Sequence, residues 1–304
     1  MILGGFSPQL LSAGIIYGVT ATELIKLDSD GSVIQTIGDL DLVDGETPIG
    51  LSFNLNDQML YALTRIRPDD VVTNQRLLKI DPSTGVTSEV LSLGAPATVG
   101  FFEAIEFIDE FNTIVVSNSQ AGSIVSSTLL TFNEQQQSLE FLAETNVDSD
   151  FLAYNPVEHL IYSFDPNSST GNQFEIIDLK TNVTNDLGSL PVSANSPAYS
   201  KKNDAVFLVD AMDNTFYKVE LTDGVSPINV NALGVIPADI VLGLAIRELI
   251  LGDLNRDCVV SLLDVAPFVD LIMNGKFQAE GDINQNGIVD LLDVAPFVEL
   301  LTGG

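Results

Sequence analysis

Apolar and polar positions repeat in one short arrangement from Ile16 to Phe207. Five segments pair an apolar residue with an aromatic residue or Val: Ile16-Tyr17, Leu60-Tyr61, Ile114-Val115, Ile161-Tyr162 and Val206-Phe207. Their second members are 44, 54, 47 and 45 residues apart. Downstream of each pair lies a second apolar segment ending in an acid or amide, at Asp28, Asp81, Asn133, Asp178 and Glu220. Turn residues follow, as in Asp81-Pro-Ser-Thr-Gly85 and Glu220-Leu-Thr-Asp-Gly224, and then a last apolar run such as Val33 to Ile37 or Val90 to Leu93. Ahead of the pair, all units but the first carry another such run: Gly50 to Phe53, Ala104 to Phe107, Leu152 to Tyr154 and Pro197 to Tyr199. Apolar runs of this length, rich in β-branched and aromatic residues and punctuated by turn residues, predict strands joined by hairpins.

Four short strands in every 45 to 50 residues is the period of a β-propeller blade. The unit resembles the blade repeat in which a Gly-Leu-Ala-Phe type strand precedes Leu-Tyr and Leu-Tyr-Lys-Ile-Asp type strands, in a degenerate form, over about residues 14–249. The first unit lacks its leading strand, and Ile240-Val-Leu-Gly-Leu-Ala-Ile246 has no following strands of its own. Joining the two closes a ring and removes exposed sheet edges. The predicted fold is mainly β, a five-bladed propeller of four-stranded blades over residues 1–249, closed by strand 240–246 in the N-terminal blade. A β-sandwich pair or a β-solenoid built from the same strands is the alternative.

Beyond residue 250 the periodicity changes. The octapeptide Leu-Leu-Asp-Val-Ala-Pro-Phe-Val occurs at 262–269 and again at 291–298, an offset of 29 that marks a duplicated unit. Before each copy, oxygen-bearing residues alternate with others. Numbering each stretch 1 to 12 places Asp253, Asn255, Asp257, Ser261 and Asp264 at positions 1, 3, 5, 9 and 12, and Asp282, Asn284, Asn286, Asp290 and Asp293 at the same positions of the second. Val259 and Ile288 at position 7 would lend backbone carbonyls. This is the layout of an EF-hand loop, which gathers hard oxygen ligands around Ca²⁺.

Residues 250–304 resemble a type I dockerin, a small α-helical domain of two calcium loop-helix units that binds a cohesin module, including its Asp at position 12. The resemblance implies two Ca²⁺ ions held by the residues just named, and a cohesin-like partner. Two departures stand out. Cys258 occupies position 6 of the first loop, where Gly is expected because the turn favours positive φ; a side chain there costs about 1 kcal/mol. The pair at positions 10 and 11, often small and polar in cellulosomal relatives, is Leu-Leu in both repeats, at 262–263 and 291–292. These leucines are either core or an apolar contact surface. If Asp264 and Asp293 cap helices, Pro267 and Pro296 fall in first turns that tolerate them. Val265, Phe268, Val269 and Ile272, mirrored by Val294, Phe297, Val298 and Leu301, then form one face per helix, predicted to pack together.

Composition adjusts this picture. Twelve Lys and Arg against 42 Asp and Glu give a formal charge of −30, which excludes electrostatic nucleic-acid binding and a polybasic membrane surface. One Cys and one His exclude an intrachain disulfide and leave little for a His-based site. No apolar run reaches the roughly 18 residues of a membrane span, and the first residues lack the pattern of an export signal. An extracellular or cell-surface setting is expected from the resemblance, with the export signal not present in this sequence.

Candidate chemistry in the propeller is sparse. The longest connection, Thr64 to Arg76, carries three of the chain's arginines, Arg65, Arg67 and Arg76, with Asp69 and Asp70 between them. It reads either as an anion or saccharide contact or as a solvated loop with local ion pairs. His159 falls in a turn, and alternation puts Glu103 and Glu106 on opposite strand faces. There is no Trp, phosphate loop, nucleophile elbow or catalytic dyad. The expected function is a noncatalytic binding or scaffold protein that docks a propeller recognition module, with a polysaccharide or cell-surface ligand, onto a cohesin-bearing partner. The alternative is a dockerin-targeted polysaccharide hydrolase or lyase acting in the propeller tunnel.

Overall fold

The computed structural model describes residues 14–302 except 68–70, 96–99, 109–110, 112, 120–126, 134–135, 137, 146–148, 167–171, 182, 202, 211, 222–228, 238, 249, 256–259 and 285. The chain divides into two compact units after Arg247.

The first unit is a ring of five four-stranded antiparallel sheets. Blade 2 holds β4 (Glu46–Asn54), β5 (Met59–Ile66), β6 (Asn74–Ile80) and β7 (Thr87–Gly94). Blade 3 holds β8 (Phe101–Ile108), β9 (Thr113–Ser119), β10 (Ser127–Asn133) and β11 (Ser138–Glu144). Blade 4 runs through β12 (Phe151–Asn155), β13 (Leu160–Asp165), β14 (Asn172–Asp178) and β15 (Val183–Leu190), and blade 5 through β16 (Ala194–Ser200), β17 (Ala205–Asp210), β18 (Thr215–Glu220) and β19 (Asn229–Val235). Blade 1 is composite: β1 (Ile15–Val19), β2 (Glu23–Leu27) and β3 (Val33–Asp39) take their innermost strand, β20 (Gly243–Arg247), from the far end of the unit. Ile16 pairs with Ile246 and Val19 with Gly243, so ring closure is a hydrogen-bonded sheet. The closing strand begins at Gly243, three residues later than its apolar run.

The five apolar pairs fall on β1, β5, β9, β13 and β17, the second strand of each blade. These strands are covered on both faces, which is why they read as continuous apolar runs rather than as an alternation. Alternate side chains enter different inter-blade cores: Ile16 packs with Phe207 and Phe216 of blade 5, while Tyr17 packs with Leu51 and Phe53 of blade 2. Five such clusters lie between successive blades. The outermost strands, such as β15 and β19, are largely exposed, which matches their polar sequences.

The second unit holds two short helices, α1 (Val265–Asn274) and α2 (Val294–Thr302), each preceded by a single 3-10 turn, at Leu262–Asp264 and Leu291–Asp293. Phe268 and Phe297 meet with ring centroids 4.3 Å apart in a core shared with Leu254, Leu271 and Val289. The predicted helix faces need correcting in part: Val269 and Val298 are about half exposed (51% and 49%), and Leu271 takes the inward place. The caps also move. Ser261 and Asp290 cap the turns, accepting from the N–H of Leu263 and Leu292, whereas Asp264 makes no side-chain cap for α1.

Candidate functional site

Three of the inner strands are bulged where they reach one end of the ring. The register slips between Pro48 and Gly50 on β4, between Phe102 and Ile105 on β8, and between Asn195 and Ala198 on β16. A bulge inserts an unpaired residue and re-aims side chains. Ile49 and Glu103, at two of these bulges, and Asn195, the last paired residue before the third, line a cavity of about 530 Å³ at the tunnel mouth. Every blade contributes to its wall: Thr47, Pro48, Arg65 and Arg67 from blade 2, Glu103 from blade 3, Asp150, Phe151 and Pro166 from blade 4, Ser193 and Met212 from blade 5, and Leu242 leading into β20. Below it, Ile49, Leu51, Ile105, Leu152, Pro197 and Leu244 narrow the tunnel to a space of about 10 Å³, room for about one water.

The bulge on β8 is held from the neighbouring blade. Gln75, fully buried, donates through Nε2 to the Phe102 carbonyl (2.7 Å) and accepts at Oε1 from the Phe102 N–H (3.1 Å). Ser117 Oγ accepts from the Ala104 N–H at 2.9 Å. Arg65 also donates to the Phe102 carbonyl through Nη2 (3.0 Å) and pairs with Glu103 at 3.5 Å. Burial pulls the Arg65 pKa down, Glu103 and Asp150 oppose that, and Arg67 adds to it; the net shift is downward. Arginine nevertheless keeps its charge in proteins. Its Nε is buried without a hydrogen-bond acceptor among the described residues. Arg67 is exposed on the same wall and forms no ion pair among the described residues.

The arginine-rich connection thus divides. Arg76 turns away from the mouth to Glu46, whose side chain is fully buried, and to Glu89. Thr64 Oγ1 and the Val43 N–H complete the shell around Glu46. Asp69 and Asp70 lie outside the described residues. His159 sits in a left-handed turn (φ 63°), its N–H bonded to the Asn155 carbonyl. Glu106 lies opposite Val115 on β9, in the ladder beyond the bulge.

In the second unit the two loops share one hydrogen-bond pattern. Asp264 accepts from the N–H groups of Leu254, Asn255 and Ser261 (2.7, 2.9 and 2.8 Å), and Asp293 from those of Asn284 and Asp290 (both 2.9 Å). In the second loop Asp282 accepts from the N–H groups of Asn286 and Gly287 (2.9 and 2.7 Å), Asn284 from Asn286 (3.0 Å) and Asn286 from Ile288 (2.9 Å). Gly287, at position 6, takes φ 88°. These bonds wind the loop so that alternate side chains share one side. Asp282 and Asp293 are buried (8% and 0% exposed), and neither forms an ion pair among the described residues. Burying a carboxylate without a countercharge is costly, so this donor set of two carboxylates with Asn oxygens suits a hard cation. Among the described residues no three His, Cys, Asp or Glu side chains form a ready metal cluster. Asn oxygens, backbone carbonyls and water, which also bind hard cations, are not counted in such a cluster. Asp257, Cys258 and Val259 lie outside the described residues. The leucines at positions 10 and 11 are surface residues: Leu262, Leu263, Leu291 and Leu292 are each 68% to 80% exposed.

No protein-family model matches the sequence, and no curated protein matches it. Among solved structures, the chain is similar to a chain of the nidogen/laminin complex (12% identity, TM-score 0.48, covering 77% of this chain and 97% of that one). It is also similar to TolB from Acinetobacter baumannii (14%, 0.45, covering 76% and 66%) and to the PQQ-bound aldose sugar dehydrogenase from Streptomyces coelicolor (10%, 0.47, covering 74% and 83%). None of the three bears on what this chain binds.

Proposed function

We propose that the protein is a noncatalytic recognition component, in which the propeller binds a polysaccharide or cell-surface ligand and the C-terminal unit acts as a dockerin. In this reading two Ca²⁺ ions order the loops, through Asp253, Asn255, Asp257, Val259, Ser261 and Asp264 and through Asp282, Asn284, Asn286, Ile288, Asp290 and Asp293. The exposed leucine pairs then meet a cohesin-like module of a secreted or surface-attached partner. The observation that carries the reading is the repeated pattern in which positions 9 and 12 of both loops exchange hydrogen bonds while position 12 also gathers the N–H of position 3. Calorimetric titration of the full chain tests it: calcium should bind at two sites with affinities between roughly micromolar and millimolar and raise the melting temperature of the C-terminal unit. No calcium-dependent change would sink it.

A second reading, a polysaccharide hydrolase or lyase, draws on Glu103 and Asp150 sharing one cavity. Against it, Glu103 is engaged by Arg65. Release of reducing ends from a polysaccharide panel, abolished by Asp150→Asn, would favour the enzyme.

A further inference from the structure

We infer that Asn286-Gly287, at positions 5 and 6 of the second loop, is a site of spontaneous deamidation, released when the loop opens and restrained by calcium. This deepens the reading of the C-terminal unit as calcium-binding and rests on it.

An asparagine followed by glycine is prone to this chemistry because no Cβ on the second residue hinders attack by its nitrogen. The chain has two such pairs, Asn274-Gly275 and Asn286-Gly287. In the reaction the Gly287 nitrogen bonds to Asn286 Cγ and gives up its proton, the Cγ–Nδ2 bond breaks, and the amide nitrogen leaves with that proton as ammonia. Water then opens the cyclic imide at either carbonyl, to aspartate or to isoaspartate. A water is consumed, an ammonia is released, and nothing is oxidised.

Asn286, Gly287 and Ile288 are exposed, and a Cβ on Gly287 would meet no heavy atom within 4 Å, so the imide and the water have room. Both reacting groups are nevertheless tied. The Gly287 N–H donates to Asp282 Oδ2 at 2.7 Å, which holds the nucleophile, and Asn286 Oδ1 accepts from the Ile288 N–H at 2.9 Å, which fixes the group to be attacked. Both bonds belong to the winding of the loop, so local opening frees both. Asp282 and Asn286 are also the proposed calcium ligands at positions 1 and 5, so the cation favours the closed form. The other pair answers to a helix instead. Asn274 ends α1, and its Nδ2 donates to the carbonyl and the carboxylate of Asp270 (3.1 and 2.6 Å). Aspartate at 286 gives the second loop the position-5 carboxylate that the first has in Asp257. Isoaspartate lengthens the main chain and takes Gly287 out of register with Asp282.

Peptide mapping of the full chain by mass spectrometry, after incubation in chelator or in calcium, tests the assignment. In chelator Asn286 should convert faster than Asn274. Calcium at about ten times its dissociation constant should slow Asn286 by about tenfold, the mass-action factor for a reaction confined to the open loop, and slow Asn274 less. In urea the two should convert at similar rates. Asp282→Ala should speed Asn286 while Asn274 stays slow; if Asn274 quickens equally the unit has unfolded, and the closer-shaped Asp282→Asn then decides by the same comparison. Asn286 converting no faster than Asn274 in chelator would overturn the site. An Asn286 rate indifferent to calcium, in a chain that calorimetry shows to bind it, would overturn the restraint. If calorimetry shows no calcium bound, the calcium reading falls, and the Asp282 variants still decide the site: a faster Asn286 supports it and an unchanged rate overturns it.

Discussion

The side-chain amide of Gln75 on β6 takes both backbone groups of Phe102 on β8, donating to its carbonyl at 2.7 Å and accepting from its N–H at 3.1 Å. One blade thereby holds both backbone groups of the residue just before the bulge in the next, and Glu103, in the bulge beyond it, lines the mouth. Replacing Gln75 by Leu strips a buried N–H and a buried carbonyl of this partner at once. The expected loss is about 2–4 kcal/mol, read by urea unfolding, together with weaker mouth-ligand binding.

Acid should unfold the propeller partly through Glu46. Burial works to raise its pKa, but hydrogen bonds from Arg76, Thr64 and the Val43 N–H outweigh it, and the folded-state pKa is lowered. A depressed carboxylate pKa stabilises the fold above the unfolded value, about 4.3, and that contribution disappears as pH falls through the lower folded value. Glu46→Gln should lower stability at neutral pH and flatten the acid limb below about pH 4.3, as followed by denaturant unfolding across pH.

Ring closure depends on a missing side chain. A Cβ on Gly243 would lie 2.8 Å from both the backbone N and the Cβ of Leu51 on the neighbouring inner strand. Gly243→Ala should cost about 1–3 kcal/mol through overpacking, and hydrogen exchange should quicken first in β20 and β1.

Asp293 serves the loop before any cation does, because it accepts from two backbone N–H groups. Asp293→Ala should therefore melt the second unit earlier even in chelator and remove one of two calcium sites in calorimetry. Asp264→Ala should do the same to the other.

The exposed leucines separate contact from stability. Leu291→Asp and Leu262→Asp should change unfolding free energy by less than about 0.5 kcal/mol, since neither side chain is in the core. Each should weaken capture by a cohesin-like module in surface plasmon resonance. A loss of stability equal to the loss of capture would return these residues to the core.

Strand identity was legible because each blade's second strand is covered on both faces, so its apolar run stays local and repeats with the blade. The closing strand was legible for a similar reason, as a leading strand with nothing after it. The mouth was not. Thr47, Asp150 and the pair Ser193 and Asn195 lie on three separate units and share no common spacing, and the local traces of the bulges are faint: Pro48 inside a strand, and Ser196 ahead of Pro197 with φ 52°. Nor could sequence distribute the three arginines, because Arg76 and Arg65 differ in the blade they face and not in the residues around them.

The sequence by itself determined the blade period, the composite first blade and the oxygen spacing of the two loops, since all three follow from backbone periods of two or of twelve residues that act locally. Tertiary structure alone decided that Arg67 and Glu103 line one cavity, that Arg76 is spent on Glu46, and that Val269 faces water while Leu271 does not. Those outcomes depend on which blades become neighbours, where inner strands bulge, and which helix faces meet in the shared core of the second unit, and each is a sum over contacts between segments far apart in the chain.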